Sequence, residues 1–293
     1  MKIRKFQIDR DLEHLETYLR DQYIINKNTT SWLPERLHDL IYRISAHEAD
    51  QGIERSMDYI FLCEENEKIV ACILPDGENI YFSIKKGFEN LFSTLLSYSE
   101  DSCLPLFCKA EDGSVKFWVA VSSRLTYMQD VLKAFGYQRY HEEAYDNFVN
   151  PLKTTVSPVL PEGFKLLYGE EYHNEENKWG AHHLGFHPDD EGSDYKGSMN
   201  PYMLRKQSSM YRDSFECIVL DENSQEQNDV CSYCFVYIDK QSKTALIEPV
   251  STREKYRRMG IGTAMMYGVI NRCKEIGIEK MLCGFFWMEK RVL

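Results

Sequence analysis

The segment EPVSTREKYRRMGIGTAMM, Glu248 to Met266, joins the end of an apolar strand to the start of an apolar helix through a basic turn carrying two glycines. Such a strand-turn-helix unit aims several backbone N–H groups in one direction, and the helix dipole adds about half a positive charge there. Gly260 and Gly262 allow an anion to approach the backbone closely and allow a positive φ where the turn needs one. Arg253, Lys255, Arg257 and Arg258 bring cationic charge to a chain whose formal charge is -11, so the turn predicts a phosphate-bearing ligand. Spacing narrows the ligand. GxxxxGK[ST] is absent, and a dinucleotide GxGxxG needs a third glycine where Met265 stands.

The acidic balance, with a pI near 5.3, excludes a general nucleic-acid or anionic-membrane binder, because phosphate backbones demand clustered Lys and Arg. An odd count of 9 cysteines and a start, MKIRKFQIDRDLEHLETYLRD, without an apolar core predict reduced thiols in the cytoplasm. No apolar run reaches the roughly 18 residues that a membrane span needs. A length of 293 residues predicts two domains of about 150 residues each.

The hydrophobic periods place the elements. RDLEHLETYLRDQYI and PERLHDLIYRISAH repeat apolar residues at helical spacing. DYIFLCEE and KIVACILPDG read as a strand pair, FENLFSTLLSYSED and RLTYMQDVLKAFGY as helices, VKFWVAVSS as a strand, and RYHEEAYDNFV as a terminal strand pair. NPLKTTVSPVLPEG, with three prolines and no period, reads as a linker. The domains are therefore set at 1–150 and 163–293, with 151–162 between them. In the second half FKLLYG is a strand and EYHNEENKWGAHHLGF contains a helix. Three β-rich segments follow through LIEPVS, then the helix GIGTAMMYGVINRCKEIG and a last strand IEKMLCGFFW. The class is mixed α/β.

RxxGxG, here Arg257, Gly260 and Gly262, set between a strand ending in LIEPV and a helix, resembles the acyl-CoA pyrophosphate loop of the GNAT superfamily of N-acetyltransferases. LPEGF, MYRDSFECIVL and IEPVSTREKYRRMGIG together resemble the C-terminal unit of tandem-GNAT proteins. The resemblance implies two tandem GNAT-type units, each a central, mostly antiparallel sheet flanked by helices. It implies acetyl-CoA as the acyl donor. Pro249, Val250 and Ser251 would face the pantetheine arm, and Arg257, Arg258, Met259, Gly260, Ile261, Gly262 and Thr263 would wrap the pyrophosphate. The first half follows the same order, but IYFSIKKGFENLFS stands where the loop belongs, with one glycine and no RxxGxG. The first unit therefore reads as a degenerate copy with little or no cofactor binding.

Acyl transfer to an amine needs a base, oxyanion donors and an acid for the leaving thiolate. Glu248 is the candidate base, on the argument that a pleated strand puts it on the same face as Val250, whose N–H is the oxyanion donor. The alternative for Glu248 is an ion-pair or orienting role. The resemblance implies a tyrosine acid in a stretch like FYxxxGF after the last strand, whereas the chain ends GFFWMEKRVL. The second unit is thus expected to lack its last helix and hairpin, and the acid is unassigned. Cys231 and Cys234 read as buried thiols rather than a metal pair, so no metal site is assigned. The partners expected are acetyl-CoA and a small-molecule or peptide amine, with no nucleic acid and no membrane. A homodimer stays open, as does a non-catalytic acyl-CoA-binding role.

Overall fold

The computed structural model describes residues 1–26, 32–77, 79–107, 109, 113–139, 147–191 and 197–283. It divides into two units, Met1–Glu143 and Ala144–Leu293.

The first unit runs β1 (Lys2–Lys5), α1 (Ile8–Ile25), α2 (Pro34–Asp39), α3 (Ser45–Asp50), β2 (Phe61–Glu65), β3 (Lys68–Asp76), β4 (Asn79–Ile84), α4 (Phe92–Ser102), β5 (Trp118–Ala120) and α5 (Thr126–Ala134). Leu15, Tyr18, Leu19 and Tyr23 on α1 are buried at three- and four-residue spacing, which is why the helix forms here. The stretch expected as one helix after Pro34 is a continuous helical run over 34–50 that passes through a π-helical turn at Leu40–Ile44. The sheet order is β1-β2-β3-β4-β5. All neighbours are antiparallel except β4 and β5, which are parallel and joined through α4.

The second unit runs β6 (Asn147–Val149), β7 (Phe164–Tyr168), α6 (Glu175–Phe186), α7 (Asn200–Arg205), β8 (Cys217–Asp221), β9 (Val230–Asp239), β10 (Thr244–Thr252), α8 (Ile261–Glu275) and β11 (Lys280–Cys283). Its order is β6-β11-β10-β9-β8-β7. β10 and β11 are the parallel pair, again joined through a helix. β9 is buried along its whole length. Cys234, Val236 and Ile238 pack with Ile261, Met265 and Val269 of α8 on one face. Tyr233 and Phe235 meet Arg205 of α7 on the other.

That second face is held by charge. Glu216 accepts from Lys178 Nζ (2.9 Å), Arg205 Nη2 (2.5 Å), Tyr202 (3.2 Å) and Tyr233 (3.0 Å). Lys178, Arg205 and Glu216 are each fully buried. Burial opposes ionisation of Glu216, yet the charges of Arg205 and Lys178 hold its carboxyl below the usual range.

Two boundaries differ from the sequence reading. β6, placed in the first domain as part of a strand pair, hydrogen-bonds antiparallel to β11 and belongs to the second sheet; residues 140–146 of that expected pair lie outside the described residues. The 151–162 segment, read as a linker, is docked on the second unit. Val156 and Leu160 pack against its core, Asn271 Nδ2 donates to the Val156 carbonyl (3.2 Å), and Lys274 Nζ donates to that of Thr154 (3.1 Å). Prolines exclude helix and ladder hydrogen bonds, but they do not prevent an extended segment from packing. The edge of β11 away from β10 is thus taken by the unit's first strand, β6; residues 284–293, on which the expected missing helix and hairpin bear, lie outside the described residues.

Candidate functional site

The site is built where β10 runs past its parallel neighbour. β11 pairs with Thr244–Ile247 only, in the described residues, while β10 continues to Thr252 alongside β9. In the outer half the Ser251 carbonyl accepts from Ser232 Oγ (2.7 Å) and the Arg253 N–H donates to the Cys231 carbonyl (3.0 Å). Both partners lie on β9. Peptide groups alternate along a strand, so the N–H and C=O of Val250 turn to the edge away from β9. That edge can add one extended chain by main-chain hydrogen bonds.

A bulge modifies the argument made for Glu248. Ile247 pairs with Val236 and Val250 with Cys234, so β10 holds one extra residue here. Ile247 and Val250, three apart, both pack against the α8-side core. The two-residue rule that aligned Glu248 with Val250 therefore fails across this bulge. Glu248 is half-buried on the bulge itself, its peptide bond to Pro249 is cis, and Pro249 and Ser251 are buried. A second bulge explains why Cys231 and Cys234 both enter the same core: Val219 pairs with Ser232 and Leu220 with Val230, leaving Cys231 as the extra residue. Burial pushes the Cys231 thiol up to about 12.

The turn after β10 is pinned from several sides. Arg257 donates through Nε to the Thr252 carbonyl (3.1 Å) and through Nη2 to the Gly185 carbonyl near the end of α6 (2.6 Å). Arg253 is buried, bonds the Asn228 carbonyl (2.8 Å) and forms ion pairs with Glu191 and Glu226. Lys255 pairs with the same two carboxylates. The side-chain bonds from Lys255 and then Arg253 hold the Glu226 carboxyl below its usual range. So Arg253 and Lys255, expected to serve a bound anion, are neutralised within the protein. Arg258 is exposed and has no ion pair among the described residues. Arg257 keeps its charge at the turn.

Gly260 is the N-cap of α8, with φ +82° and nothing within 4 Å of a built Cβ. Arg258 also adopts a left-handed φ of 65°, uncommon for a residue with a side chain. Gly262 answers to a close approach: its Cβ would meet Thr252 Oγ1 at 2.9 Å. No side chain caps α8, so the first-turn amides, at Ile261, Gly262 and Thr263, are left for another acceptor. Met259 is 42% exposed. The residues of the expected loop are therefore gathered at one helix N-terminus beside a strand edge that is open among the described residues.

Sequence reasoning missed the part played by α6. Its last turn supplies the Gly185 carbonyl to Arg257, and Ser251 Oγ donates to the Ala181 carbonyl (3.4 Å). His183 bonds Asp190 (2.7 Å) and stacks on His187, and His182 stacks on Trp179. Nothing in the spacing of KWGAHHLGF marks a carbonyl as a loop anchor.

The fold of each unit, a mostly antiparallel sheet containing one parallel strand pair joined through a helix, is that of the GNAT acyltransferases. Residues 182–286, within the second unit, match the model of the acetyltransferase (GNAT) family. A GCN5-related N-acetyltransferase from Sphaerobacter thermophilus is similar in structure over 100% of this chain and 88% of its own, with a TM-score of 0.57 at 12% identity. The glucosamine N-acetyltransferase region of a fungal multi-domain GH3 β-N-acetylglucosaminidase aligns over 98% of this chain and 35% of that chain, with a TM-score of 0.51 at 10% identity. At such identities the likeness is one of fold, and it extends over both units in tandem. No curated protein matches the sequence. Among the described residues no helix is long and apolar enough to cross a membrane.

Proposed function

We propose that the second unit is an N-acyltransferase that moves an acetyl group from acetyl-CoA to a primary amine of a small molecule or peptide in the cytoplasm. The observation that supports this reading is the join of the β10 edge, unpaired beyond Ile247 among the described residues, to the N-terminus of α8, which no side chain caps. Val250 offers the edge amide and carbonyl to a pantetheine arm, flanked by Pro249 and Ser251. The amides of Ile261, Gly262 and Thr263, with Arg257 and Arg258, suit the pyrophosphate, and Gly260 lets the backbone turn into the helix. When bound, the thioester supplies an activated acyl group.

The chain's own part in the chemistry is small and local. An amine of pKa about 10 is largely protonated at neutral pH, so a base must take its proton, and we assign that role, directly or through a water, to Glu248 on the bulge two residues before Val250. The Val250 N–H serves as the oxyanion donor. The domain division that goes with this reading is a degenerate first unit and a catalytic second unit that includes the 151–162 segment.

A non-catalytic acyl-CoA-binding module with the same fold is the second reading, favoured by the unassigned acid. Calorimetric titration with acetyl-CoA tests both, and absence of saturable binding sinks both. Thiol release across an amine panel separates them, since binding without acceptor-dependent CoA production selects the module.

A further inference from the structure

The last backbone bond of α6 runs from the His187 N–H to the His183 carbonyl (2.8 Å), and Pro188, which has no N–H, stops the ladder. The carbonyls beyond His183 therefore depend on partners outside the helix, and this end carries partial negative charge. The Gly185 carbonyl accepts from Arg257 Nη2 at 2.6 Å. Arg257 thus caps the C-terminus of α6 from the turn that opens the N-terminus of α8.

Gly185 reaches this place because it has no side chain. A Cβ built on it would lie 2.5 Å from Ser251 Cβ and 3.3 Å from the Thr252 amide nitrogen, so α6 rests directly on the end of β10. One turn earlier Ser251 Oγ donates to the Ala181 carbonyl (3.4 Å), and both residues are buried. A larger residue at 185 must lift the helix end and carry its carbonyl off Arg257. The guanidinium has five N–H groups. Its bonds to Gly185 and Thr252 use two of them, and Arg257 is exposed. An anion can therefore meet the remaining donors while the carbonyl holds the group in place.

We propose that Gly185 is a positioning residue for the phosphates of the acyl donor, acting through Arg257. The proposal rests on the reading of the turn between β10 and α8 as the donor's phosphate site. It adds that the site is completed from α6, 72 residues before Arg257, and that the affinity of the turn depends on how closely that helix lies on β10.

The test is calorimetric titration of the full chain with acetyl-CoA. Gly185→Ala should weaken binding by about tenfold. The same substitution should cost less than about twofold in an Arg257→Ala background, where the residue it acts through is gone, and in a Ser251→Gly background, where the added methyl has room. Val149→Ala trims the flank of the same core on β6; it should lower the unfolding midpoint and leave the affinity unchanged, which separates positioning from a general loss of stability. In the wild type the ¹³C resonance of the Gly185 carbonyl should move saturably with acetyl-CoA, a measurement that stands even where a variant fails to fold. No saturable binding by the wild type overturns the reading of the turn and this proposal together. Full affinity in Gly185→Ala, an equal loss in the Arg257→Ala background, or a Gly185 carbonyl signal that ignores bound acetyl-CoA overturns this proposal alone.

Discussion

Arg257 ties the turn to α6: its Nη2 lies 2.6 Å from the Gly185 carbonyl oxygen, while its Nε holds the Thr252 carbonyl at 3.1 Å. The arginine of RxxGxG is therefore a brace between a strand end and a helix end, and its charge is held at a fixed position.

Arg257→Ala should weaken acetyl-CoA binding by about ten- to a hundredfold, the equivalent of one charge-assisted hydrogen bond of about 1.5–3 kcal/mol. Arg258→Glu, at an exposed position, should weaken binding with unchanged thermal stability. Calorimetry and thermal unfolding of both variants check this, and an Arg257→Ala protein with wild-type affinity would refute the brace.

The two glycines should respond differently because they answer different constraints. At Gly260 the φ of +82° is the constraint and space is free, so Gly260→Asn should be tolerated better than Gly260→Val, which faces a left-handed penalty of about 1–2 kcal/mol. At Gly262 the constraint is contact with Thr252 Oγ1, so Gly262→Ala should be partly rescued by Thr252→Ala, which removes that oxygen, and not by Thr252→Ser, which keeps it. Unfolding midpoints of the single and double variants decide between the two mechanisms.

Removing Glu216 leaves two buried cations, Lys178 and Arg205, without their shared anion. Glu216→Gln should cost about 3–5 kcal/mol. The native carboxyl titrates below its ordinary value of 4.5. Its stabilising contribution is therefore complete above that ordinary value and is lost as pH falls through the lower folded-state pKa. Chemical denaturation of wild type between neutral and acid pH should show this loss, and the variant should show a shallower slope.

Val149 sits on β6 and packs against the second core. Val149→Asp should destabilise the second unit by about 1–3 kcal/mol and raise amide exchange along β11, its hydrogen-bonded partner. Unchanged exchange at Met281 and Leu282 would show that the sheet closes without this strand.

Under the proposed activity, Glu248→Gln should lower turnover by about 10²–10⁴ with little change in acetyl-CoA affinity. Loss of the acidic limb of the pH-rate profile identifies a base. A raised KM for amine alone would instead assign Glu248 to orienting the acceptor.

Much of this molecule is local and therefore legible in the chain. Helical spacing on α1, strand runs such as SYCFVYI, and the change from a two-residue to a helical period at Gly260 report backbone states that neighbouring residues settle among themselves. They reveal two similar units and the glycine turn between β10 and α8. What folding decided is non-local. The bulge at Glu248 arises from register against β9 and overturned a face assignment that assumed an unbroken pleat. Arg253 and Lys255 were cations of the turn until Glu191 and Glu226, distant in sequence, neutralised them. The segment from Asn147 onward looked like the end of one domain and a linker. It is an edge strand and a docked strap of the other, because β11 offered an unpaired edge and α8 an apolar flank that no periodicity records. The corresponding turn in the first unit follows the same rule: its sequence shows that RxxGxG is missing, and only the fold shows the Gly87 N–H donating to the Glu89 carboxylate.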